Sequence, residues 1–231
     1  MASTPDTPHP SWDALLDRWI AVVSSAREGS GPDPRRYGED LLRRWSEPQR
    51  RYHTVDHLLT VLDQVEILAG HASRVAAVQL AAWLHDAVYL PERSENEERS
   101  ARLAERALTE LGLDGHLVSE VARLVRLTVS HDPEPGDRNG EVLCDADLSI
   151  LAADPERYAH YAGDVREEYS FVPEEDFRRG RAEVLRQLLS LHQLYRTPYG
   201  QHHWEEVARR NLSIELELLT GEPHTPASGT D

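Results

Sequence analysis

Apolar residues recur at three- and four-residue steps over most of the chain. Trp12, Leu15, Leu16, Trp19, Ile20 and Val23 fall on one face of a first helix, because a period of 3.6 residues brings such positions together. The loop GSGPDP follows, and a second helix is predicted over Arg36 to Trp45, ended by Pro48. A third runs from His53 to about Leu68, with Leu58, Leu59, Leu62, Val65 and Ile67 as its apolar face. Val75 to about Ala87 is apolar nearly all round, which marks a central helix buried on every side. Further helices fit Ser94 to Leu111, Leu117 to Ser130, Asp147 to about Ala153, Pro155 to Tyr169, Glu174 to Tyr195 and His203 to Leu219. The segment HDPEPGDRNG between two of them reads as loop throughout, since Gly and Pro punctuate it.

No run alternates β-branched and polar residues between hairpin turns, and no segment repeats. The pattern therefore predicts an all-α protein, with a single helical domain over residues 11–219. Residues 1–10 and 220–231 are rich in Pro, Thr, Ser and Gly and read as disordered tails.

Charge narrows the classes of partner. The chain carries 25 basic against 41 acidic residues, a net charge of −16. That balance argues against a nucleic-acid surface, which needs clustered cations. It leaves room for a small phosphorylated ligand, because a bound cation can dominate the local field. The single cysteine, Cys144, admits no internal disulfide and fits a reducing compartment and a core position. The N-terminus lacks the basic and apolar regions of a signal peptide. The longest uncharged stretch, Val75 to Leu84, is too short to span a bilayer. The expected location is the cytoplasm, without a membrane partner; nothing in the pattern sets the oligomeric state.

Four segments carry side chains able to hold a metal. His53 and His57 in YHTVDH lie four apart, which on a helix is one face and one turn. His85-Asp86 ends the most apolar helix, where such a pair is expensive to bury without a partner. His131 closes another helix, and Asp145 and Asp147 lie in the apolar context CDADLSIL. Imidazole with carboxylate suits a divalent first-row ion. Singly, each has a plainer reading: surface or core histidines, a chance dipeptide, a helix N-cap at Asp147. If the last segment is helical, Asp145 and Asp147 point about 200° apart and only one of them can join the others.

The ordered set resembles the HD superfamily of metal-dependent phosphohydrolases, all-helical proteins with ligands in the order His, His-Asp, Asp. YHTVDHLLTVL, WLHDAVY, SENEERSA, LTVSH, CDADLSIL, VREEY, GRAEVL and EEVARRNL are similar to successive landmarks of one bacterial branch, over about residues 12–219. The resemblance implies His57, His85, Asp86 and Asp147 as ligands of one or two divalent ions (Mn, Mg, Co, Ni, Fe or Zn), with Asp86 able to bridge. It favours Asp147 over Asp145, because the family's last aspartate follows an alanine, as in Ala146-Asp147. YHTVDH is also similar to the opening histidine motif of cyclic-nucleotide phosphodiesterases, which would make His53 the general acid.

The implied activity is metal-dependent hydrolysis of a phosphomonoester, phosphodiester or phosphoanhydride, with a nucleotide as the leading substrate class. Asp86 and His53 would be catalytic, and His131, Arg99 and Arg166 the candidates for substrate contact. Against these stand surface ion pairs for the arginines, a helix-terminal cation for His131 and a solvated face for Glu97. Two other readings remain: a di-iron HD-type oxygenase, and a non-catalytic metal- or nucleotide-binding module. The oxygenase needs extra histidines between the HD pair and the last Asp, where His116 and His131 are available and only His131 stands in a landmark segment.

Overall fold

The computed structural model describes residues 9–221. Among them are α-helices and one 3-10 turn, and no strand, so the all-α expectation is met. In chain order the helices are α1 (Trp12–Ala26), α2 (Arg35–Trp45), α3 (Val55–Leu68), α4 (Val75–Leu84), α5 (Asn96–Glu110), α6 (Gly115–Leu127), α7 (Arg138–Asp147), the 3-10 turn Leu148–Ala152, α8 (Pro155–Glu168), α9 (Glu174–Ser190), α10 (Pro198–His203) and α11 (Glu205–Thr220). None is long and apolar enough to cross a membrane. The chain divides into two compact units, Met1–Asp147 and Leu148–Asp231, a division that the uniform helical period does not mark.

In the first unit α4 is the centre. Its sequence VAAVQLAAWL offers no polar face, and it packs against α1, α3, α5, α6 and α7. Leu80 and Leu84 are fully buried, each stabilising by ~1.5–3 kcal/mol relative to exposure. Tryptophans fix its last turn: Trp83 meets Trp19 edge-on at 5.4 Å, and Trp45 Nε1 donates to the Trp83 carbonyl at 3.1 Å. That carbonyl is one of those a helix end leaves without an internal partner, so the bond secures the turn that presents His85. Gly38 lets α2 close on α1, since a Cβ there would lie 2.5 Å from Trp19 Cδ1.

The second unit is built around α11, which packs against α9, α10 and the 3-10 turn. Asn211 Nδ2 donates to the carbonyls of Leu151 and Ala153, and Tyr195 Oη to that of Leu148. Arg181 is held by Glu215 at 2.8 Å, with Tyr158 on the same carboxylate.

Several expected boundaries move. His53 lies outside α3, which begins at Val55; Ile67, expected on its apolar face, is 52% exposed while Leu68 is buried. Arg138 to Gly140, expected as loop, form the first turn of α7. The cause is Asp137, whose Oδ1 accepts the Gly140 amide at 3.0 Å as an N-cap does. Gly140 serves packing, because a Cβ there would lie 2.7 Å from Leu127 Cδ2. The helix expected over Glu174 to Tyr195 stops at Ser190, and His203 ends α10 instead of opening the last helix. The expected tails fall outside the described residues except at their inner edges, where the His9 carbonyl accepts the Trp12 amide and Thr220 ends α11.

Candidate metal centre

Three elements of the first unit converge at the end of α4. His57 stands in the first turn of α3, His85 caps α4, and Asp147 ends α7. One ligand atom from each lies within 4.8 Å of the other two. His57 Nε2 is 3.1 Å from Asp147 Oδ1, and His85 Nε2 is 3.5 Å from the same oxygen. Both nitrogens are buried and neither has a hydrogen-bond partner, so they approach the carboxylate without the alignment such a bond requires. Metal–ligand bonds of ~2.0–2.2 Å place neighbouring ligand atoms ~3.0–3.5 Å apart. The separations observed fit a shared ion.

Orientation is fixed from behind. His85 Nδ1–H donates to the Ala82 carbonyl at 2.8 Å, which leaves Nε2 as the ring atom facing Asp147, the arrangement of most metal-binding histidines. The Trp45 ring lies 5.4 Å from His85 and 6.1 Å from His57, and Tyr52 is 4.7 Å from His57. These rings keep the centre apolar on one side.

The electrostatics follow from burial and two carboxylates. Burial acts to lower the His85 imidazole, but Asp86 and Asp147 outweigh it and raise its pKa to about 9. Burial pushes His57 below its ordinary value, and Asp147 only partly offsets this. Burial would raise Asp147, yet the charge of His85, the bond from His131 and the nearness of the His57 and His85 imidazoles hold it well below the carboxylate range.

The remaining expected residues adjoin this group to different degrees. Asp86 Oδ2 is 3.5 Å from His85 Nε2 and 3.8 Å from His53 Nε2, so Asp86 borders the group on the His53 side. His131 Nε2 is bonded to the second oxygen of Asp147 at 2.8 Å, and His131 has φ of 50°, a left-handed conformation rare for side chains other than glycine. Asp145 is buried but lies outside the three-residue group, as does Glu97. His116 is exposed at the start of α6, its amide bonded to Asp114.

The two arginines differ. Arg99, in the first turn of α5, has a buried Nη1 without a hydrogen-bond partner. That turn is tied to the segment following Asp86, because Ser100 Oγ accepts the Val88 amide and Asn96 Oδ1 the Leu90 amide. Arg166 belongs to the second unit, where Glu174, the carbonyls of Tyr169 and Val172, and the Phe177 ring engage its whole guanidinium. Its contacts are those of a brace across the α8–α9 turn. Sequence reasoning missed Arg50, which bonds the backbone of both His53 and Asp86; an arginine ahead of a histidine motif carries no signal of that kind.

No family model matches the chain, and no curated protein or solved structure matches it significantly.

Proposed function

We propose that this protein is a metal-dependent phosphohydrolase acting in the cytoplasm on a small phosphorylated compound, with nucleotides as the first class to test. One observation carries the reading: the buried Nε2 atoms of His57 and His85 converge unpartnered on Asp147. Buried polar atoms without partners are rare in native proteins, and a divalent ion would satisfy all three at once. The resemblance to HD phosphohydrolases supports the reaction class.

His57, His85 and Asp147 would hold the ion, with Asp86 completing the set or sharing a second one. When bound, such an ion would supply Lewis acidity, lowering the pKa of water towards neutrality and offsetting phosphoryl charge. His53, whose Nε2 lies 3.8 Å from Asp86 Oδ2, would give a proton to the leaving oxygen. Arg99 Nη1, a donor without a partner, suits an anionic substrate. The test is a phosphate-release screen over nucleotides and other phosphate esters with Mn²⁺, Mg²⁺, Co²⁺ or Ni²⁺. Turnover of at least one compound, dependent on His85 and Asp147, is expected. Absence of turnover on every compound would sink the reading.

The di-iron oxygenase has one observation in its favour, the His131 imidazole on Asp147 Oδ2. It remains a histidine short, because His116 is exposed at the start of α6 and lies outside the three-residue group. Oxygen consumption by iron-loaded protein, without phosphate release, would reverse the order of the two.

A further inference from the structure

We infer that Arg50 is a positioning residue of this centre, pinning the backbone of His53 to that of Asp86 and so fixing the proton donor against the metal-binding carboxylate. The inference rests on the metal-centre reading above. Arg50 Nη1 donates to the His53 carbonyl and Nη2 to the Asp86 carbonyl, both at 2.9 Å. The two acceptors belong to different parts of the unit, the turn before α3 and the end of α4. Bridging them needs two donors at a fixed spacing, which the planar guanidinium provides and an ammonium does not.

The burial of this cation calls for such a role. Its side chain is 0% exposed, and its ion pair with Glu47, itself 38% exposed, is a long one at 3.6 Å. A charge taken wholly out of water is strongly unfavourable unless hydrogen bonds and polarisable neighbours replace its hydration. The two carbonyls supply two such bonds, and the rings of Trp45 and Tyr89 lie 5.2 and 5.4 Å from the guanidinium carbon. Both rings also touch the centre: Trp45 lies against His85, and Tyr89 packs on His53 at 4.3 Å. A buried cation serving packing alone would have no reason to take one acceptor from each of these two segments.

The test titrates full-length protein with Mn²⁺ alone by calorimetry and follows helicity and thermal midpoint by circular dichroism. Arg50→Lys keeps the charge and loses the fork; Arg50→Ala loses both and leaves a space for added methylguanidinium. Both variants are expected to stay helical and to bind Mn²⁺ about tenfold or more weakly, as loss of an outer partner does. Methylguanidinium is expected to restore most of the affinity to Arg50→Ala. Wild-type affinity in Arg50→Lys, or no rescue of Arg50→Ala, overturns the inference. So does a fall in thermal midpoint with affinity unchanged, or loss of helicity in both variants, since either makes Arg50 a residue of the fold alone. Failure of the wild type to bind Mn²⁺ would sink the metal centre itself, and this inference with it.

Discussion

The Asp147 carboxylate, at the end of α7, stands 3.1 Å from Nε2 of His57 in the first turn of α3 without a hydrogen bond between them. A buried donor or acceptor left unsatisfied costs about 1–3 kcal/mol, and His85 Nε2 is a second such atom beside it. A third body that satisfies both would therefore stabilise the fold as well as create a reactive centre. Mn²⁺ at a hundred times its dissociation constant should stabilise the wild type by about 2.7 kcal/mol. His85→Ala and Asp147→Ala should show no such gain and retain no metal after desalting. Equal metal content in wild type and both variants, by elemental analysis, would refute the centre.

Metal affinity should rise with pH. In the metal-free protein the carboxylates of Asp86 and Asp147 raise His85 to about 9 against burial. A folded-state pKa raised above 6.5 means that protonated His85 stabilises the fold fully below pH 6.5, and that this is lost as pH rises through about 9. The ion needs the neutral imidazole and must expel that proton. Apparent Mn²⁺ affinity should thus increase by up to about tenfold per pH unit, levelling off near pH 9. Calorimetry across that range would check it, with proton release read from buffers of different ionisation enthalpy. A flat profile would show that His85 is already neutral in the metal-free state.

His53 should separate chemistry from binding. Its Nε2 lies 3.8 Å from Asp86 Oδ2, and it stands outside the three-residue ligand group. His53→Gln should keep metal content and lower kcat by about 10²–10⁴-fold, the usual worth of a general acid. It should change KM little. Loss of metal in His53→Gln would make it a ligand instead.

The helical class and the segments bearing His57 and His85 were legible because periodicity and burial are written locally, whereas Asp147, expected to open a helix, ends α7 and is followed by a 3-10 turn. The family likeness favours Asp147 over Asp145, and at the end of α7 the Asp147 carboxylate stands beside His57 and His85. What stayed hidden depends on contacts between distant segments. Gly140 reads as a turn signal until Leu127 is seen packed where its Cβ would be. Asp137, the cap that starts α7, is outweighed locally by Pro133, Pro135 and Gly136. Arg50 shows its purpose only when the end of α4 is folded beside it.

Arg99 and Arg166, alike in sequence context, should behave differently on substitution. Arg99 has an unpartnered buried Nη1, and a hydrogen bond to a charged group is worth about 1.5–3 kcal/mol. Arg99→Met should weaken competitive inhibition by inorganic phosphate by about tenfold to a hundredfold. Arg166→Met removes bonds to Glu174 and to the Tyr169 and Val172 carbonyls. It should lower the thermal midpoint and leave phosphate inhibition unchanged. Equal phosphate inhibition of wild type and Arg99→Met would take Arg99 out of the substrate site.

His131 offers a comparison of strain against chemistry. Its φ of 50° lies in the left-handed region, where a side chain other than glycine costs about 1 kcal/mol or more unless the surroundings hold it. What holds it is the 2.8 Å bond from its Nε2 to Asp147. His131→Ala and His131→Gly both remove that bond, so both should weaken Mn²⁺ binding to the same extent. They differ in the backbone alone. At an ordinary position glycine is less stable than alanine by roughly 0.5–1 kcal/mol through chain entropy. Here relief of the left-handed backbone should cancel or reverse that order, making His131→Gly at least as stable as His131→Ala in denaturant unfolding without metal. Alanine more stable by the ordinary margin would mean that residue 131 leaves the left-handed region once its ring is gone. The imidazole would then be bending the backbone to reach Asp147, and the loop between α6 and α7 would be shaped by the site it serves.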